Sequence, residues 1–538
     1  MKLVTVSQMQ AIEKEADAGG LTYDQMMENA GQGLADIILE LYTGEAELEV
    51  VGLVGPGNNG GDTLVALSAL AVEGWKARAY LVKRKKDDLV KRLIEAGGEV
   101  LSKENPFEQL AQAIETADVL LDGVLGTGVQ LPVKKDVAEL LSEINDVLDG
   151  LDASPLVIAV DCPSGVDSDT GEVADETIAA DLTVTMAAVK QGMLKLPAFE
   201  YVGDLKVVDI GLPADLAPFK ELTAEVADEE SIAALLPDRP LDSHKGTFGT
   251  ALIAAGSVNY TGAAVLAGEA AYRVGAGLVT LAVPAPVHVA LAGRFPEATW
   301  VLLPHEVGVI SSNALEVLAK HFDRASALLI GPGLGLEDTT REFIEDILEG
   351  KYSAKKTHQR IGFLRQEAEQ KEDNNVQLPP LVFDADGLKL LARVKDWYQK
   401  IPGPAVLTPH PGEMAEMTEL SKEMIQERRQ EIASQYAKSW GHVVVLKGAF
   451  TVVASPDGRS TIIPVASPAL ARAGTGDVLA GLVVGLRAQG LGAYESAVAG
   501  AWIHAQAGLY AADDLGTTVS VLAGDVLDSV SDVLSDLE

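Results

Sequence analysis

Glu49-Val50-Val51-Gly52-Leu53 leads through Val54 into Gly55-Pro56-Gly57-Asn58-Asn59-Gly60-Gly61-Asp62, and a helical stretch follows. A short apolar run rich in β-branched residues reads as a buried strand. The glycines after it permit close backbone approach, and the helix that begins there presents unpaired N–H groups. Working outward, apolar segments recur at Ala77–Val82, Val119–Asp122, Leu156–Val160, Leu182–Thr185 and Lys206–Ile210, with helical stretches between most of the early ones. Strands alternating with helices predict an α/β fold with a doubly wound, mainly parallel sheet.

Ligands of such sheets bind beyond the C-terminal strand ends, so the residues just after each strand matter most. Gly-x-Gly at 55–57 lacks the spacing of a dinucleotide fingerprint. Its neighbours Asn58 to Asp62 nevertheless combine amide side chains, glycines and a helix N-terminus. Two further loops follow strands: Asp122-Gly123-Val124-Leu125-Gly126-Thr127-Gly128 and Asp161-Cys162-Pro163-Ser164-Gly165-Val166-Asp167. Asp62 could cap its helix, and Asp167 reads as a turn residue. Asp122 and Asp161 end apolar strands, where a carboxylate is costly unless it meets a cleft, a cation or a donor. Oxygen ligands from Asn59, Asp122 and Ser164 would suit a hard cation, potassium included.

Ahead of this sheet, Ser7-Gln8-Met9-Gln10 reads as a capping box, and Met26-Met27-Glu28-Asn29-Ala30-Gly31 lies on a helix. The acidic, alanine-rich stretch from Leu212 to Pro237 places a domain boundary near residue 225. The second half alternates again. Strands are expected at Thr250–Ala255, Leu278–Val283, Ala327–Ile330, Leu381–Phe383, Ala405–Leu407 and Val443–Leu446. A hairpin is expected over Phe450–Ala454 and Thr461–Pro464. Helices are expected at Gly262–Val274, Val478–Leu486, Tyr494–Tyr510 and Val521–Leu537. Residues 349–377 are rich in Lys, Gln, Glu, Arg and Asn and read as a solvated insertion.

Strand ends again gather the chemistry: Gly331-Pro332-Gly333, Asp384-Ala385-Asp386, His410-Pro411-Gly412-Glu413 and Lys447-Gly448. Ala473-Gly474-Thr475-Gly476-Asp477 opens an apolar helix. Its N–H groups and helix dipole make an anion cradle, and Asp477 at the rim could take a proton from a hydroxyl. Asp477 as a simple helix cap is the competing reading of that loop alone. Likewise His410 could be a rigid turn, Lys447 a surface lysine and Asp384 a strand-end cap.

At 538 residues, with 47% hydrophobic and 5% aromatic residues and 52 glycines, the chain suits two or more α/β domains. Its formal charge of −37 disfavours nucleic acid and anionic membranes as partners. Cys162 is the sole cysteine, which excludes an internal disulfide. Met1–Gly20 has no long apolar run, and no segment reaches the ~20 apolar residues of a membrane helix. A cytoplasmic protein, expected as a homo-oligomer, follows.

In the first half, Gly57-Asn58-Asn59-Gly60-Gly61-Asp62, Asp122 with Gly126-Thr127-Gly128, Asp161-x-Pro163-Ser164-Gly165-Val166-Asp167 and the Met-Glu-Asn-Ala-Gly stretch resemble the NAD(P)H-hydrate epimerase family. That resemblance implies a Rossmann-like domain and potassium at Asn59, Asp122 and Ser164. It implies substrate contacts from Asn58, Asn59, Gly60, Gly61, Asp62, Gly126, Thr127, Gly128, Val129, Gln130, Leu131, Pro132 and Asp161, with Asp161 the catalytic acid/base. The second half resembles the ADP-dependent NAD(P)H-hydrate dehydratase family, a branch of the ribokinase-like fold. The motifs are His244-Lys245-Gly246 with Gly249, Gly262-Ala263-Ala264, Gly331-Pro332-Gly333, Asp384-Ala385-Asp386, His410-Pro411-Gly412-Glu413, Lys447-Gly448 and Gly474-Thr475-Gly476-Asp477. The implied substrate contacts are Ala264, Gly333, His410 and Asp477, with Asp477 as base. The implied nucleotide contacts are Lys447, Gly448, Ala449, Phe450, Thr451 and Gly476. Expected partners are hydrated NADH and NADPH with ADP and AMP, and magnesium would shield the phosphates. A ribokinase-like kinase of a small hydroxylated metabolite shares the Gly-Thr-Gly-Asp loop and is the alternative. A non-catalytic first domain beside an active dehydratase is a further one.

Overall fold

Seven strands carry the first half: β1 (Glu49–Val54), β2 (Lys76–Leu81), β3 (Glu99–Val100), β4 (Val119–Gly123), β5 (Leu156–Val160), β6 (Leu182–Met186) and β7 (Asp204–Val208). Their order in the sheet is 3-2-1-4-5-6-7, and every pairing is parallel. The order reverses between β1 and β4, so a crevice opens beyond their C-terminal ends. Both glycine-rich loops emerge there. The computed structural model describes residues 1–101, 106–352 and 377–538, which divide into the units Met1–Val226 and Ala227–Glu538.

Three helices of the first unit shape that crevice: α1 (Val6–Ala18), α2 (Tyr23–Leu41) and α3 (Asn58–Val72). Helix α1 starts earlier than expected. Thr5, not Ser7, is its cap, exchanging hydrogen bonds with Gln8, while the Val6 N–H donates to Asp169 Oδ1 at 2.9 Å. Capping at Thr5 turns Met9, Ile12 and Ala16 onto the buried face. Helix α2 lies on α3 with almost no room between. A Cβ on Gly31 would stand 2.4 Å from the Cβ of Val65. The loop glycines answer the same demand, since a Cβ on Gly60 would lie 2.1 Å from the Gly55 carbonyl oxygen. Strand β7 begins two residues before the expected Lys206, because its register against β6 runs from Leu182↔Asp204 to Met186↔Val208.

The second unit has β8 (Thr250–Ala254), β9 (Leu278–Pro284), β10 (Thr299–Leu303), β11 (Ala327–Ile330), β12 (Leu381–Phe383), β13 (Val406–Leu407), β14 (Val443–Leu446), β15 (Val452–Ala454) and β16 (Ser460–Ile462). They are ordered 16-15-14-13-12-11-8-9-10. The sheet is parallel from β14 to β10 and antiparallel across 14-15-16. Edge strand β10 was not expected from the sequence. The helices that matter are α4 (Thr261–Arg273), α5 (Pro411–Thr418), α6 (Thr475–Ala488) and α7 (Ala493–Asp514). Gly481 lets α6 press on α4: a Cβ there would meet the Ala267 carbonyl oxygen at 2.2 Å. The single helix expected over Val521–Leu537 is two, Ala523–Asp528 and Val530–Leu537, broken at Ser529. Of the polar insertion at 349–377, residues 353–376 lie outside the described residues. Among the described residues no helix is long and apolar enough to cross a membrane.

Candidate active sites

In the first unit a cavity of about 530 Å³ opens over the strand reversal. Asn58, Asn59, Asp62, Gly126, Thr127, Gly128, Val129 and Asp161 line it, as do Gln10 and Glu13 of α1 and Met26 and Met27 of α2. Gly60, Gly61, Gln130, Leu131 and Pro132 are not on this lining; the first two are buried inside α3. Asp62 is no helix cap: Gly57 holds that position, and Asp62 sits buried in the second turn. Burial first, then the charges of Asp161 and Glu13, push its carboxyl well above the usual range. Glu13 is raised for the same reasons, burial before Asp161. Asp167 is the turn residue expected, its Oδ1 accepting from the N–H groups of Asp169 and Thr170.

Asp161 ends β5 in the left-handed region, φ 64°, a conformation costing an Asp of order 1 kcal/mol. Its Oδ1 accepts from the Met186 N–H at 3.0 Å, from the Thr185 hydroxyl at 3.2 Å and from the Lys190 ammonium. Lys190 is almost wholly buried and also donates to Thr185 Oγ1 and the Met186 carbonyl. Three donors thus converge on one carboxylate oxygen, which leaves Oδ2 as the oxygen free to act in the cavity. Lys190 escaped the sequence reading. Its signal was a lysine closing the apolar run that begins at Leu182. We expect Lys190→Met to slow turnover at this site roughly a hundredfold while turnover in the second unit is unchanged. Assaying the two reactions separately on the intact chain checks this.

Beside Asp161 lies a knot of oxygens. Asp122 is buried, its Oδ2 accepting from the Ser164 N–H at 2.8 Å and its Oδ1 from the Ser164 hydroxyl at 2.6 Å. Burial raises its pKa against those bonds, and among the described residues no lysine or arginine pairs with it. Asn59 donates through Nδ2 to the Leu125 carbonyl at 2.7 Å, and its buried Oδ1 has no hydrogen-bond partner. An orphaned amide oxygen beside an uncompensated carboxylate and a hydroxyl fits a hard monovalent cation. No group of three His, Cys, Asp or Glu able to hold a metal exists among the described residues.

In the second unit a cavity of about 400 Å³ is lined by His410, Lys447, Gly448, Ala449, Thr451 and Gly476, together with Ile463, Val465, Leu470 and Leu479. Ala264, Gly333, Phe450 and Asp477 are not on this lining, and Ala264 is fully buried. Asp477 is not a cap. Gly474, at φ 93°, opens α6, and Asp477 sits in its first turn. Burial and the neighbouring Asp384 carboxylate raise its pKa to about 7, against the pull of Lys447. Asp384 is buried at the end of β12, accepting from the Thr408 hydroxyl at 2.6 Å and from Lys447 Nζ at 2.7 Å. Burial opposes the charge on Lys447, yet Asp384 and Glu413 offset it and hold the ammonium above its ordinary pKa. The His410 ring caps α5, with Nδ1 accepting from the Gly412 and Glu413 N–H groups and Nε2 3.3 Å from Glu413 Oε1.

A carboxylate-lined crevice on a Rossmann-like sheet, then a second, mainly parallel sheet with a glycine-rich helix start beside a raised carboxyl, defines an enzyme with two active units. The family described as YjeF-related protein N-terminus matches residues 23–192. The family described as NAD(P)H-hydrate dehydratase matches residues 251–354 and 362–531. The bifunctional NAD(P)H-hydrate repair enzyme Nnr of Moorella thermoacetica is 35% identical over 100% of this chain and 97% of its own length. That of Salinibacter ruber is 34% identical over 99% and 96%. A crystal structure of the ADP/ATP-dependent NAD(P)H-hydrate dehydratase of Bacillus subtilis, co-crystallised with ATP and Mg2+, is 29% identical. It covers 58% of this chain and 99% of that one at a TM-score of 0.46. The chain belongs to the family of bifunctional NAD(P)H-hydrate repair enzymes.

Proposed function

We propose that residues 1–225 interconvert the R and S hydrates of NADH and NADPH, and that residues 226–538 dehydrate the S form at the expense of ADP. One observation supports this above others. In each unit a lysine–aspartate pair stands at the C-terminal rim of the sheet beside a cavity, Lys190–Asp161 in the first and Lys447–Asp384 in the second. The two epimers have the same composition, so any proton the first site removes it must return. The free Oδ2 of Asp161 can do both. Asn59, Asp122 and Ser164 would hold potassium, whose charge would compensate Asp122 and orient both loops.

In the second unit Asp477 takes the proton of the ring hydroxyl, and that oxygen attacks the terminal phosphorus of ADP. The bond to the bridging oxygen breaks and AMP leaves. Lys447 and the N–H groups at Gly474–Gly476 hold the charge of the transferring group. The ring carbon–oxygen bond then breaks with its electron pair on phosphate, and loss of a proton from the adjacent ring carbon restores the double bond. Magnesium would shield the phosphate charge when the nucleotide binds. Incubation with mixed NADH hydrates, ADP and magnesium tests this reading. AMP and phosphate should appear one for one with recovered NADH. A stable phosphorylated product would support the small-metabolite kinase instead.

A further inference from the structure

Arg429 opens the helix Arg429–Trp440 and is largely buried. Its Nη2 donates to the Leu446 carbonyl at 2.8 Å and its Nη1 to Gln426 Oε1 at 2.6 Å, while Nε is buried without a partner. Among the described residues no carboxylate pairs with this guanidinium, and burial alone lowers its pKa to about 10, which leaves it charged at neutral pH. A cation withdrawn from water is costly until an anion meets it. In a chain of formal charge −37 such an anion was easily supplied, yet none is.

The guanidinium lies directly against the loop that follows β14. Leu446 is the last residue of that strand, and Gly448, at φ 140°, stands two residues on. A Cβ on Gly448 would lie 3.1 Å from both Nη1 and Nη2 of Arg429. Gly448 lines the cavity with Lys447, Ala449 and Thr451, and the Thr451 hydroxyl closes the loop by donating to the Gly448 carbonyl at 2.9 Å. Arg429 itself is not on the lining, so its charge reaches the cavity through a backbone wall one residue thick. Lys447, the cation on that wall, is already matched by Asp384 at 2.7 Å, with Glu413 and Asp477 also near. Arg472 lines the cavity too, but it is exposed and donates to the Val519 carbonyl, so solvent and salt screen it.

We propose that Arg429 is a positioning residue for the nucleotide. It ties the Lys447–Thr451 loop through the Leu446 carbonyl and supplies, across Gly448, the positive charge that the phosphates of a nucleoside diphosphate meet. This rests on the reading of the second unit as nucleotide-using. The phosphates of the hydrated dinucleotide are anions of the same chemistry, so the test separates the two sources.

Titration calorimetry of adenosine, AMP and ADP on the intact protein reads the charge without requiring turnover. Arg429→Gln should weaken ADP about tenfold, AMP less, and adenosine by no more than about twofold. Arg429→Lys keeps the charge and gives up the forked hold, so it should retain ADP affinity within about threefold. In the dehydration assay Arg429→Gln should raise the KM for ADP about tenfold with a much smaller fall in kcat, and leave the KM for the S hydrate within about twofold. Equal losses of adenosine and ADP would make Arg429 a structural tie only and overturn the proposal. So would unchanged ADP binding in Arg429→Gln, a loss in Arg429→Lys as large as in Arg429→Gln, or a rise in the KM for the S hydrate that matches the rise for ADP. Where Arg429→Gln does not fold, Arg429→Lys still decides. ADP binding by wild type that ignores Arg429 removes only this assignment, whereas no ADP binding by wild type removes the nucleotide-using reading with it.

Discussion

Asp477→Asn should reduce ADP-dependent dehydration of the S hydrate by roughly 10²- to 10⁴-fold, with epimerisation intact. The amide keeps the size of the side chain but cannot take the hydroxyl proton. The pH profile carries the same claim. As a base Asp477 must be ionised, and in the free enzyme its pKa is raised to about 7. The kcat/KM for dehydration should therefore fall as pH drops through about 7, and Asp477→Asn should abolish that limb. Stability moves the other way. A carboxyl whose folded pKa is raised contributes stability below its unfolded pKa and loses it as pH rises through the folded one. Above neutral pH Asp477→Asn should thus unfold at a higher temperature than wild type, which thermal melts at two pH values would show.

Asp161→Asn should lower epimerisation by roughly 10²- to 10⁴-fold and leave dehydration of the S hydrate at the wild-type rate. Two changes combine. The cavity loses the oxygen proposed to take and return the proton, and Lys190 loses its anionic partner while remaining buried. An ammonium stranded in that position is costly, so the variant should also melt lower. Separate assays of the R and S hydrates distinguish the catalytic loss from general unfolding, because unfolding would depress both.

Much of the architecture was legible because parallel strands buried on both faces read as unbroken apolar runs. Leu156–Val160 and Val443–Leu446 lie where the sequence put them. Strand β10 was missed although Trp300-Val301-Leu302-Leu303 is an apolar run; at the sheet edge it leaves Thr299 and Leu302 exposed and buries Val301 and Leu303. The loops after the strands were legible because parallel strands deliver their loops to one rim: the first sheet gathers them at its reversal point, and the cavity of the second is lined by the loops after β13 and β14. The partners within each site were not. Lys190 is 29 residues from Asp161, and nothing in its local spacing reveals the turn of chain that brings it back. The helix-cap readings of Asp62 and Asp477 failed because glycines, Gly57 and Gly474, occupy the cap positions.

The most direct test of the two-step account starts from purified R hydrate of NADH with ADP, magnesium and potassium, and follows the return of reduced-nicotinamide absorbance. Wild type should convert the R hydrate fully, and Asp161→Asn should leave nearly all of it unconverted while still consuming S hydrate normally. Recovery from R hydrate at the wild-type rate in Asp161→Asn would contradict the account, as would a wild-type protein that recovers NADH from the S hydrate alone.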